Sequence, residues 1–143
     1  MPVVHLRHDS AAPGSTYRPG QPGSAFKPEV MPRPDETITA KKTNSAFIGT
    51  GLDAHLRDQK INELIITGVT TNNSVEAIVR MAGDLIFETH VVSDATVTFD
   101  KTDLSGRLWI ADEVHSLSLA NMAGEYANVL PTEEVLEHLP GSV

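Results

Sequence analysis

The 143-residue chain has no cysteine. Disulfides, thiolate chemistry and cysteine-ligated zinc are therefore excluded within it, while redox compartment is left open. Basic residues are few as well. Eleven Lys and Arg stand against nineteen Asp and Glu, for a net charge of −8, whereas non-specific nucleic-acid binding needs a basic surface. No apolar run approaches the length of a membrane-spanning helix, and the segment Met1 to His8 lacks the apolar centre of a signal peptide. These absences predict a soluble, cytoplasmic protein that binds neither nucleic acid nor membrane. What is present is ordinary for a globular chain: 40% hydrophobic and 21% charged residues. The length suits a single domain, residues 1–143, with a real core.

Short apolar runs alternate with helical spacings along the chain. Val3 to Leu6 reads as a strand, so the fold begins at the third residue. Residues 10–37 hold six prolines and three glycines, a density that forbids helix and ladder pairing. Long irregular segments of this kind are functional or disordered. Here Phe26, Val30 and Met31 offer apolar anchors for an ordered covering loop. Thr37 to Ala40 has β character. Thr50 is placed to cap a helix bearing Leu52, Leu56 and Ile61. Phe87 to Ser93 reads as a buried strand ended by Asp94-Ala95, with residues 96–108 as a polar loop. Ile110, Val114, Leu117 and Ala120 share a helix face running on towards Tyr126. Asn128 to Leu130 is a short strand, and Thr132 caps a last helix with Val135, Leu136 and Leu139. The alternation predicts an α/β fold with a parallel sheet and helices on both faces.

The stretch from Glu63 to Arg80 organises the rest. Leu64-Ile65-Ile66 is a buried-strand run, Gly68 breaks it, and Thr70-Thr71-Asn72-Asn73 forms a polar turn. Val75, Ile78, Val79 and Ala82 then follow at helical spacing. In open α/β sheets such a turn lies where ligands bind. Ser74, as first residue of the helix, would sit on free N–H groups at the positive end of the dipole. This stretch alone favours a plainer reading: Asn73 with Glu76 has capping-box spacing, which leaves Asn73 a cap and Ser74 a filler.

Three stretches together resemble the isochorismatase-like cysteine hydrolase superfamily, to which nicotinamidases also belong. They are Lys41-Lys42-Thr43-Asn44-Ser45-Ala46-Phe47-Ile48-Gly49-Thr50, then Ile66 to Ala77, then Val91-Val92-Ser93-Asp94-Ala95. Glu113-Val114-His115 and Leu119 to Val129 resemble the family's C-terminal helix and strand. The resemblance implies a three-layer α/β/α sandwich with a mostly parallel sheet. It also implies hydrolysis of small amides, carbamates or a vinyl ether, with no cofactor. By position the family lysine falls on Lys41, with Lys42 as the fallback, and the nucleophile on Ser74, 33 residues later (74 − 41). A cis peptide is expected at Val69-Thr70, with the backbone N–H groups of Thr70 and Ser74 as oxyanion hole. Val69 and Asn73 complete the turn.

Two departures from the family bear on activity. Serine replaces the nucleophilic cysteine. A free thiol titrates near roughly 8.5, whereas an alcohol is far less acidic and needs a positioned base; Ser–Lys pairs supply one. The family's Asp-bearing first strand also has no counterpart, which makes the domain N-terminally truncated relative to the family. Asp9 follows what the resemblance makes the second strand and does not replace that Asp. His5-Leu-Arg-His8-Asp9 does not match the nicotinamidase metal pattern, so no metal is expected. His115 reads as structural or surface, Trp109 and Phe47 as packing, and Glu76 as part of the cap. The expectation is a hydrolase of a small amide-type substrate, weakened or lost as written. Its rival is an inactive, oligomeric small-acid-binding or scaffold protein. A truncated gene model or a deliberately placed serine remains a third account. A homo-oligomer is expected in either case.

Overall fold

The computed structural model describes residues 1–139, and the chain divides into two compact units, Met1–Asp58 and Gln59 onwards. In the first, β1 (Val4–His8) pairs in parallel with β2 (Thr37–Lys41), Val4 opposite Thr37 and His8 opposite Lys41. Two parallel strands need a long crossover, and the proline-rich segment provides it. This segment holds two single 3₁₀ turns, Pro22–Ser24 and Pro28–Val30. It is tied down by polar contacts: Ser10 N–H donates to the Tyr17 carbonyl at 3.0 Å, and the His5 ring bonds Glu36 at 2.7 Å. Of the three expected anchors only Phe26 is partly buried, edge-on to His5. Val30 and Met31 are exposed, because a segment held by backbone and ion-pair contacts needs few apolar ones.

Helix α1 (Leu52–Asp58) closes the first unit, with Leu52 and Leu56 buried. Thr50 sits where a cap was expected: its hydroxyl oxygen accepts from Leu52 N–H at 3.2 Å and its O–H donates to the Ala46 carbonyl. Ile61 lies beyond the helix, half-buried.

In the second unit, β3 (Glu63–Val69), β4 (Glu88–Val97) and β7 (Asn128–Leu130) form a parallel sheet in the order β3-β4-β7. The short antiparallel pair β5 (Lys101–Thr102) and β6 (Leu108–Trp109) stands beside them in sequence. Helices α2 (Glu76–Asp84), α3 (Ala111–Met122) and α4 (Thr132–His138) complete the unit. Its core joins Val75 and Val79 with Val91, Met122 and Ala127, and Ile66, Leu119 and Tyr126 pack against them. Gly83 lets α2 approach the following chain: a Cβ there would lie 3.0 Å from the Tyr126 carbonyl oxygen. Among the described residues no helix is long and apolar enough to cross a membrane.

Four sequence expectations are corrected here. β4 does not end at Asp94-Ala95. It bulges there and continues, because the β-branched Thr96 and Val97 pair with Gly68 and Val69. The pairing offset grows from 25 (Ile66 opposite Val91) to 28 (Gly68 opposite Thr96), so three extra residues are taken up in β4. Gly68, at φ +127°, supplies the backbone that this irregularity requires. Second, the Leu64-Ile65-Ile66 run is only half-buried, since β3 has β4 alone as a strand neighbour among the described residues.

Third, most of the α3 face expected inside lies outside. Ile110, Leu117 and Ala120 are exposed, with Leu117 at 61%, and only Val114 is half-buried. The inward positions are His115, Ser118, Leu119 and Met122, because polar contacts, described below, claim that side. The helix also stops at Met122, short of Tyr126, where Ala123 turns extended. Fourth, Thr132 is the first helical residue of α4 and not its cap. Its N–H and O–H both donate to one Asp94 carboxylate oxygen, at 2.8 and 2.7 Å. These bonds hold the Asp94 carboxyl below its ordinary pKa. Val135 is buried, while Leu136 is exposed.

Candidate functional site

Two loops at the carboxyl ends of parallel strands carry the predicted residues, one in each unit. In the first, Lys41 is the last residue of β2 and only 3% exposed. Its ammonium group donates to the Thr43 carbonyl at 3.0 Å and the Asn44 carbonyl at 2.8 Å. Burial pushes its pKa below that of an ordinary lysine, because desolvation disfavours the charged form. Lys42 lies just past the end of β2 and is exposed. The fallback position is a solvated charge. Nearby, Asp9 is bonded to Arg7 at 2.8 and 3.1 Å, and those hydrogen bonds hold its carboxyl low. Among the described residues no group of three His, Cys, Asp or Glu side chains is arranged to hold a metal ion.

In the second unit, β3 ends at a cis peptide between Val69 and Thr70. The chain then winds into one π turn, Thr71–Val75, that runs into α2. The bond from Val75 N–H to the Thr70 carbonyl, 3.1 Å, spans five residues and defines it. Such turns frequently mark functional sites. The capping reading of Asn73 is overturned: the helical run begins at Thr71, Thr70 is the N-cap, and no side chain caps it. The Glu76 carboxylate accepts instead from Arg80 at 2.9 Å and from the Ser118 hydroxyl at 2.7 Å. Ser74 is therefore the fourth residue of the turn, half-buried, with Asn73 and Val69 exposed beside it and Thr70 half-buried.

The turn is held by side chains from far along the chain. Thr71 is fully buried. Its hydroxyl lies 2.9 Å from Nδ1 of His115, whose Nε2 lies 3.1 Å from the Ser93 carbonyl oxygen. The Thr98 hydroxyl donates to Asn72 Oδ1 at 2.6 Å. Thr71 and Asn72 belong to the turn that the sequence places at the site, but His115 and Thr98 are not assigned to it from sequence. They lie 44 and 26 positions from their partners, and no local pattern announces such pairs.

With this geometry in place, comparison with known proteins assigns the class. Residues 1–134 match the isochorismatase domain. The chain is 37% identical over 134 residues to the isochorismatase family protein YrdC of Bacillus subtilis, a match covering 94% of this chain and 72% of YrdC. It is 28% identical to nicotinamidase 3 of Arabidopsis thaliana, covering 99% of this chain and 73% of that one. A crystal structure of an isochorismatase-family protein from Chromobacterium violaceum superposes with a TM-score of 0.92 at 60% identity, over 96% of this chain and 71% of that chain. The chain belongs to the isochorismatase family of hydrolases and has its α/β fold with a mostly parallel sheet.

Proposed function

We propose that the protein is a cytoplasmic hydrolase of a small-molecule amide or carbamate C–N bond. The observation that carries this is Lys41, a lysine withdrawn from water at a strand end with its pKa lowered. A lowered pKa is the direction that a lysine acting as general base requires. Ser74 attacks the carbonyl carbon and gives its proton to a general base, the role that the family resemblance gives to Lys41. The N–H groups of Thr70 and Ser74 hold the oxyanion, and Val69 and Asn73 border the substrate. The C–N bond breaks, the amine leaves with that proton, and water then cleaves the acyl ester. No cofactor takes part. A relative named for nicotinamide cleavage supports the amide class. Serine, where the family resemblance calls for cysteine, keeps turnover low, since the alcohol is a poorer nucleophile at neutral pH.

The test is a panel of small amides and carbamates offered to the parent and to Ser74→Cys, each with and without Lys41→Met. A gain in kcat/KM of tenfold or more for Ser74→Cys, abolished by Lys41→Met, is expected. No turnover by any of the four removes the catalytic reading.

A second reading draws on the outer face of α3. Trp109, Asp112, Glu113, Ser116, Leu117 and Ala120 line an open groove there, and Leu104, Leu108 and Ile110 are also exposed. Exposed large apolar side chains of this kind support a homo-oligomer. An inactive, oligomeric protein that holds a small acid would use that face for assembly. Carboxylate binding by calorimetry without product formation, with sedimentation as an oligomer, would favour it over the hydrolase.

A further inference from the structure

We propose that His115 is a positioning residue for position 74, acting through Thr71. The inference rests on the reading above only in taking position 74 as the reacting position. A carbonyl oxygen can only accept, so the His115 Nε2 facing Ser93 carries the hydrogen. In the neutral ring Nδ1 is then an acceptor, and the Thr71 hydroxyl donates to it. One directed chain thus runs from the first residue of the π turn, through α3, to the bulge of β4.

The next residue is clamped separately, Asn72 accepting from Thr98. Residues 71 and 72 are therefore fixed in succession, each to a different element. The following backbone inherits that setting, with Asn73 directed to solvent and Ser74 half-buried. The inward face of α3 is built for this task. His115 and Ser118, three positions apart, both spend their polar groups on the turn and the helix it feeds, Ser118 through Glu76. The same face also packs Leu119 and Met122 into the core, while Leu117 is exposed.

Because the chain has no cysteine, Ser74→Cys introduces a single thiol whose alkylation by iodoacetamide reports how position 74 is presented. In that background Thr71→Val, which keeps the shape and removes the hydroxyl, is expected to change the alkylation rate at least fivefold. Thr71→Ser is expected to restore it to within twofold. His115→Phe carries the same expectation as Thr71→Val, and the double variant should differ little from either single one. The second route keeps the test open if Thr71→Val does not fold. In the unaltered chain, ¹⁵N correlation of the imidazoles should show His115 as the Nε2–H tautomer. An alkylation rate unmoved by Thr71→Val and His115→Phe, a failure of Thr71→Ser to restore it, or an Nδ1–H tautomer would each overturn the inference. Alkylation needs no substrate. A chain that hydrolyses nothing yet shows this pattern loses the hydrolase reading and keeps the positioning one.

Discussion

The loop after β2 and the turn after β3 present their groups in opposite ways. Lys41 is held by carbonyls two and three residues on, Thr43 and Asn44. The turn bearing Ser74 is held by His115 and Thr98, from α3 and the chain after β4. The two carbonyl bonds of Lys41 are local, although its burial comes from the chain packed around it. The bonds that hold the turn exist only once the sheet and α3 have packed. Bonds made within a short segment should tolerate damage elsewhere, while bonds made between distant elements should fail with the core.

The largest effect is expected where the tertiary arrangement is cut at its base. Met122 is fully buried on α3, one helical turn and more beyond His115, and belongs to the core with Val79 and Val91. Met122→Ala should cost about 2–5 kcal/mol of stability, read from chemical denaturation. It should also loosen the turn, seen as faster amide exchange at residues 71–75. Unchanged exchange there, with the stability loss confirmed, would show that the turn does not depend on how α3 is seated.

Thr98→Val acts on one clamp alone. It leaves Asn72 without its donor while keeping the shape of the side chain. A lost bond to a partly buried acceptor is expected to cost about 1–2 kcal/mol, and the exchange change should be confined to the turn. A wider change would mean that Thr98 supports β4 itself.

The same division explains what could be read from the sequence. The strand runs and the α2 face of Val75, Ile78, Val79 and Ala82 follow from short-range periodicity, whereas Lys41 is picked out by the family resemblance, since a Lys-Lys pair by itself reads as solvated charge. The π turn does not follow from periodicity: Asn73 and Glu76 have capping spacing, yet Ser118 and Arg80 outbid the cap for the Glu76 carboxylate. α3 misled for a related reason. Its apolar stripe through Ile110 and Leu117 has the right period, but His115 and Ser118 find partners inside, and satisfied buried polar groups can outweigh an apolar face. Thr96 and Val97 extended β4 because their cross-strand partners, Gly68 and Val69, are distant in sequence.

The smallest effect lies in a third segment, the β5–β6 hairpin, which is as local as the Lys41 loop. One Asp103 oxygen accepts from the Ser105 hydroxyl and N–H and from Arg107 N–H, and the other accepts from the Trp109 indole at 2.9 Å. These bonds, Ser105's foremost, hold the Asp103 carboxyl at about 2. A carboxyl depressed in the folded state lends stability that is present above its unfolded pKa and lost as pH falls through the folded one. The hairpin should therefore hold at pH 4 and loosen as the pH approaches about 2. Trp109 is the single tryptophan, so emission reports this hairpin together with the adjoining face of α3. Asp103→Asn should remove the acid transition and leave the rest of the chain unaffected, since every bond involved stays within residues 103–109. An emission change that instead tracks global unfolding, with the same midpoint as the far-UV signal, would show that this segment is tied to the rest of the unit and that local bonding does not confer independence here.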